Sequence, residues 1–314
     1  MIFFATFLRA MAAIFITNSH YVGVYPIDII ANGGLLGDVL FFSLSGFVLI
    51  NIRESFLNWY RHRFLRIYPT IWIITTFYII FGFYNFNDFT FLNYYIYPTY
   101  YHFIASIIVL YIPYFIVRKN KILFDNIPKV MMALLFIEMI VYIFLYNKSY
   151  YHIDVVREPM IRFLFFQAML LGLYFRKNKD KYINSNKWYN WIILMSTIIV
   201  YFISKLLFSR INDLSSYQLI NQILIFVVLY YFLRCFSGID NKLENLPKVL
   251  KKAISFVAEI TLEIYAVQYV IIPRLKHIIF PINWIVITFT IIISAYILRV
   301  IGTKSSSKIE NLLK

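Results

Sequence analysis

The chain has 314 residues, 61% hydrophobic and 20% aromatic, with only 14% charged. Soluble domains carry roughly 25% charged residues, so an ordinary water-soluble domain is excluded. The net charge of +15 sits in short clusters between apolar stretches, with no basic run interleaved with an exposed aromatic platform. That pattern argues against nucleic acid as a partner and for the lipid bilayer.

Apolar stretches near 20 residues recur from end to end, the length that crosses a hydrocarbon core about 30 Å thick. "IIVYFISKLLF" (198–208) and "VITFTIIISAYIL" (286–298) are apolar all round, whereas an outer-membrane barrel would alternate apolar and polar residues. The expected class is an all-α polytopic membrane protein. About ten spans are predicted, at 2–20, 34–52, 67–85, 99–117, 130–146, 159–175, 188–207, 217–233, 254–273 and 282–301. No second domain, long linker or repeat interrupts them, so residues 1–314 read as a single domain.

The first span is "FLRAMAAIFITNSH" (7–20) within an uncleaved apolar start. It lacks the charged beginning and small-residue cleavage site of a signal peptide. Arg9 and His20 are eleven residues apart, which is 1100° of helix, about 20° past three full turns, with a rise of about 16 Å. Both therefore share one face, and both must look into the protein or a wet cavity. Taken singly, Arg9 would be half of a structural ion pair and His20 an interfacial residue; on one face they point to a site. Arginine suits anion binding. Histidine suits a general base or a nucleophile.

The second span, "GGLLGDVLFFSLSGFVL" (33–49), strings small residues together. Close helix packing explains most of them, with Ser45 a further polar candidate. Asp38 is a candidate partner for His20, because a carboxylate can fix the imidazole tautomer. A loop at 53–66 then leads into the third span through "RHRFLRIYP" (61–69). Arg63 and Arg66, three residues apart, would be neighbours on a helix and suit a phosphate clamp. Membrane anchoring is the plainer explanation, and Pro69 reads as a helix start. Arg162 and Lys205 are further cations inside spans. In the ninth span "EITLEIYAVQY" (259–269) places Glu259 and Glu263 one turn apart, on a common face, as candidates for function or for pairing with Arg9 or Arg162.

Lysine and arginine orient the spans. The loops at 53–66, 118–129, 176–187 and 234–252 and the C-terminal end, Lys314 included, carry 22 of the 30 cations; the alternate loops carry Lys148, Arg157, Arg210, Arg274 and Lys276. Both termini are expected in the cytoplasm. Cys235 is the single cysteine, so no internal disulfide forms, and no Cys/His cluster has metal-ligand spacing. No metal is expected.

The ordered set resembles the acyltransferase-3 family of bacterial integral-membrane acyltransferases, many of which O-acetylate cell-surface polysaccharides. The shared features are the arginine and histidine of the first span, "GDVLFFSLSGFVL", "RFLRIYP" and "EITLEIYAVQY". The resemblance spans nearly the whole chain and implies an acyl-CoA donor, usually acetyl-CoA, and a hydroxyl of a lipid-linked or exported glycan as acceptor. With the residue readings above, it makes His20, Arg9 and Asp38 the expected catalytic group, Arg9 holding the thioester carbonyl or a phosphate, and Arg63, Arg66 and Arg162 the expected donor-binding residues. The bacterial cytoplasmic membrane is the implied location, with separate polysaccharide-assembly proteins as partners. The chain departs from the pattern at Phe7, where the family often has an acid, at Gln268, where it often has a late histidine, and near His102, where a tryptophan is common. Two other functions stand as alternatives. A glycan or acyl-intermediate transporter would use the buried charges as a path, and a non-catalytic subunit of a polysaccharide export complex would need only the packing.

Overall fold

The computed structural model describes residues 2–87 and 89–312. Met1, Asp88, Leu313 and Lys314 lie outside the described residues, and with them one of the cations counted above. Among the described residues there is no strand, and eleven helices are ten residues or longer. They are α1 (Phe3–Ser19), α2 (Gly34–Val48), α3 (Phe56–Ile80), α4 (His102–Lys119), α5 (Ile127–Leu145), α6 (Ile161–Lys177), α7 (Trp188–Arg210), α8 (Leu219–Ser237), α9 (Lys248–Glu259), α10 (Thr261–Leu275) and α11 (Ile282–Leu312). Helices suit this composition, because each satisfies its own backbone polar groups where no water is at hand.

Six of these are long and apolar enough to cross a membrane: α2 with the short turn that precedes it (Asp28–Val48), α4, α5, α7, α8 and α11. The bent pair α9 and α10 makes a seventh if it counts as one span. The protein is a multi-pass membrane protein on this ground. The other expected spans fall on α1 and α6, each 17 residues, and on α3, which is long enough but carries Arg61, Arg63 and Arg66.

Four expectations are corrected. Residues 56–66 are helix and not loop, because Trp59 and Leu65 are buried there, Trp59 edge-on to Tyr111 with ring centroids 5.6 Å apart. Pro69 consequently stands inside α3 rather than at its start. The expected ninth span bends by 69°. The break is at Ile260, whose φ of −96° and ψ of 16° lie in the sparsely allowed bridge region. The two halves have different surroundings: Ala258 is the buried residue of α9, whereas α10 is buried along most of its length. Glu259 and Glu263 are thus on separate helices, Glu259 exposed and Glu263 buried, and the shared face predicted for them does not exist.

The chain forms two compact units, each drawn from three stretches. The first holds the described residues of 1–9, 38–52 and 112–251; the second holds those of 10–37, 53–111 and 252–314. In the first, Gly46 of α2 lies against the Met169 carbonyl and Gly172 of α6 against the Ser43 carbonyl, with no room for a side-chain carbon at either. Phe42 and Phe165 stack beside them at 4.2 Å, and the Tyr114 hydroxyl donates to the Gly46 carbonyl at 2.8 Å. The small residues of "GGLLGDVLFFSLSGFVL" therefore serve close helix approach. In the second unit Gly37 meets Ala12 and Ile16 of α1, and Gly302 of α11 meets Thr70 of α3.

Candidate active site

His20 follows the last residue of α1. Its N–H donates to the Thr17 carbonyl at 3.0 Å, a tightened final turn. The loop after it is pinned from several directions. Asn18 donates to the carbonyls of Ile30 and Asn32 at 2.8 and 3.0 Å and accepts from the Tyr25 hydroxyl at 2.7 Å. The Tyr21 hydroxyl meets the Thr288 hydroxyl at 2.9 Å, and Asn283 donates to the Val24 carbonyl at 2.9 Å, so α11 holds the loop from its other side. A side chain that must meet a substrate in one orientation needs such a rigid support.

The half-buried imidazole lies edge-on to Tyr269 of α10, ring centroids 5.1 Å apart. Tyr269 in turn packs on Tyr265, Tyr101 and Tyr100 at 5.3, 5.9 and 6.1 Å. Tyr101 is fully buried and shares a hydrogen bond with Tyr84 at 3.2 Å. Beside Tyr269 in sequence, Gln268 is fully buried, and neither its amide nitrogen nor its oxygen has a hydrogen-bond partner. A buried amide left this way is costly. Tyr269 was within a stretch singled out by sequence but carried no role there; its contact with His20 joins helices far apart in the chain.

A second feature of the same unit is a cavity of about 370 Å³ between α3 and α11. Arg63, Arg66 and Arg299 line it, with the hydroxyls of Thr303, Ser306 and Ser307 opposite. Arg63 Nε is buried with no hydrogen-bond partner. Arg63 precedes the apolar part of α3, and burial pulls its guanidinium below the ordinary value, with the like charge of Arg66 acting in the same direction. An anion in the cavity would relieve both. His62 bridges Glu54 at 2.9 Å and Glu310 at 3.7 Å on the rim, which ties α3 to the end of α11. Arg299 also pairs with Glu263 at 3.6 Å, so the pairing of Glu263 with a cation is met within α10 and α11. Arg299 was read from sequence as one more cation at the C-terminal end; nothing in its spacing from Arg63 and Arg66 could have joined them.

The remaining candidates are in the first unit. The Arg9 guanidinium lies over the Phe41 ring, 5.5 Å from its centroid, and its Nε is shut off from solvent. Asp38 is buried, 5% exposed. The Ser45 hydroxyl donates to the Phe41 carbonyl of its own helix at 3.0 Å, which is local back-bonding. Arg162 is half-buried in the first turn of α6, at the opposite end of that helix from Arg176 and Lys177. Lys205 pairs with Asp154 at 3.0 Å, a structural role. The structure thus brings Arg63 and Arg66 together and separates Glu259 from Glu263.

No curated relative and no solved structure matches the chain. A family model described as an acyltransferase domain matches residues 2–303. With that match running over nearly the full length of a multi-pass helical chain, the protein belongs to the acyltransferase-3 family.

Proposed function

We propose that this chain is an O-acyltransferase of the bacterial cytoplasmic membrane. It moves an acyl group, acetyl by preference, from cytoplasmic acyl-CoA to a hydroxyl of a lipid-linked or cell-surface glycan. One observation carries the reading beyond the family: three arginines, one with a buried unpartnered Nε, around a cavity of about 370 Å³. Guanidinium forks bind phosphate oxygens in pairs, and coenzyme A presents three phosphates. Arg63, Arg66 and Arg299 are the proposed clamp. Arg162 is left out of it, because the charge bias that assigns Arg176 and Lys177 to the cytoplasm assigns the first turn of α6 to the other face.

In the proposed reaction the glycan hydroxyl oxygen attacks the thioester carbonyl carbon. Its proton passes to the His20 imidazole as the new C–O bond forms. The C–S bond then breaks, and coenzyme A leaves as a thiolate that takes the proton from the imidazolium. Tyr269 sets the plane of the imidazole, and the buried Gln268 amide offers the substrate a donor and an acceptor. Arg9 and Asp38 are proposed as members of the catalytic group on their motif positions alone, Arg9 for the thioester carbonyl or a phosphate of the donor. The alternative in which His20 carries the acyl group transiently uses the same residues.

The clamp is tested by acetyl transfer from labelled acetyl-CoA in isolated membranes. An Arg63→Ala, Arg66→Ala double variant and a single Arg299→Ala variant are each expected to raise the donor KM about tenfold or more, since a hydrogen bond to a charged group is worth about 1.5–3 kcal/mol. A donor KM that stays at the wild-type value in the double variant removes the clamp.

A further inference from the structure

The first unit contains a cavity of about 350 Å³ between α5, α6 and α8 that the acyl-transfer reading does not use. Its walls are mostly apolar, with Met131, Met132, Leu135, Leu164, Ile223 and Phe226 among them. At one end are Glu138 and Gln222, 2% and 3% exposed. Glu138 Oε2 accepts from Gln167 Nε2 at 2.7 Å, and Oε1 has no partner. Gln222 Nε2 donates to the Ile153 carbonyl at 3.2 Å, and its Oε1 also has no partner. Two buried acceptors therefore share one cavity without a donor. A carboxyl inside an apolar span is costly and marks a site by default.

What would fill the cavity follows from its two ends. The orphaned oxygens call for a hydrogen-bond donor. A hydroxyl fits best, because it donates to a carboxylate and to an amide oxygen and can also accept if the carboxyl is protonated. From Glu138 back to Pro128, both lining residues on α5, the apolar wall runs ten residues, about 15 Å of helix. That length accepts an alkyl chain. α5 borders the cavity and exposes Met132, Phe136, Ile140 and Phe144 along the same helix, so the reservoir beside it is hydrocarbon. We propose that this cavity takes up from the hydrocarbon an apolar chain molecule that carries hydroxyls, its chain lying along α5 toward Pro128 and its hydroxyls donating, at the deep end of the cavity, to Glu138 Oε1 and Gln222 Oε1. The proposal does not rest on the arginine clamp or on His20.

The probes are monoolein, which has a chain and two hydroxyls, and methyl oleate, which has the same chain and no donor. Binding of each to the purified, delipidated full-length protein is measured by native mass spectrometry across a concentration series. Monoolein is expected to bind about tenfold more tightly than methyl oleate. Glu138→Met, close in shape and apolar, is expected to cut that preference to near unity while methyl oleate binds as before. Met132→Trp, at a position 66% exposed and therefore safe for folding, is expected to weaken both probes alike. Equal wild-type affinity for the two probes, an unchanged preference in Glu138→Met, or undiminished binding of both in Met132→Trp each overturns the proposal. Should Glu138→Met fail to fold, the wild-type preference and the Met132→Trp result decide it.

Discussion

Each of the polar residues that first look misplaced in this chain has a distinct physical answer. Lys205 has Asp154 at 3.0 Å and Ser45 has its own helix's Phe41 carbonyl; these are structural. Ser45→Ala should accordingly leave acyl transfer and thermal stability close to wild type, and a large loss of transfer in that variant would return Ser45 to the site. Gln268 is different, because its amide has no protein partner at full burial. Replacing it with Leu removes an unsatisfied group, so the folded protein should be as stable or more so, while the acceptor KM rises. A simultaneous fall in stability and in kcat, with acceptor KM unchanged, would mark Gln268 as structural. Gln268→Glu gives a second reading of the same position, since it keeps an acceptor but no fixed donor. At this scale the sequence was informative about residue type and silent about partners: a buried amide and a satisfied one look alike in a string of letters.

Individual helices show where local pattern holds and where tertiary packing overrides it. The positions of α4, α5, α7 and α8 follow from apolar runs alone, because a helix in hydrocarbon needs nothing else. α3 could not be read so simply. Its first turns, Phe56 to Arg66, are polar enough to pass for a loop, and only the burial of Trp59 and Leu65 makes them helix. The break at Ile260 was hidden for the opposite reason, since residues 254–273 carry no glycine or proline before Pro273 to mark a bend, and α9 and α10 differ in their surroundings. Glycine contacts give the sharpest prediction for an element. Gly172 faces the Ser43 carbonyl without space for a side chain, and backbone cannot shift as a flexible side chain can. Gly172→Val should destabilise by at least the 1–3 kcal/mol or so of an overpacked core, read as a lowered Tm in detergent. A Tm within a degree of wild type would mean that α2 and α6 do not approach closely there. Gly302→Leu has a different signature, because it meets Thr70 and also projects beside the arginine cavity: it should lower Tm and raise the donor KM together, whereas Gly172→Val should leave the donor KM near wild type.

For the whole molecule, the family and the class were legible because they rest on an ordered set of motifs and on composition. The arrangement in two units was not, since α1 and α2 each contribute residues to both. Ten spans with both termini in the cytoplasm is the topology we propose from the 22 cations of one set of loops. Reporter fusions test it. Green fluorescent protein fused after residue 312 should be bright, and alkaline phosphatase fused in the 147–158 stretch should be active. The reverse pattern would turn the molecule over and put the arginine cavity on the side where coenzyme A is absent. The central claim is that the His20 imidazole takes the proton of a glycan hydroxyl during acyl transfer, and its most direct test is the acyl content of the glycan. Glycan from cells making equal amounts of wild type or His20→Ala is compared by NMR. The account predicts O-acyl groups falling with the transfer rate, which drops about 10²–10⁴-fold when a general base is removed, while the amount of exported glycan is unchanged. Normal O-acyl content with blocked export would contradict it and make the protein a transporter.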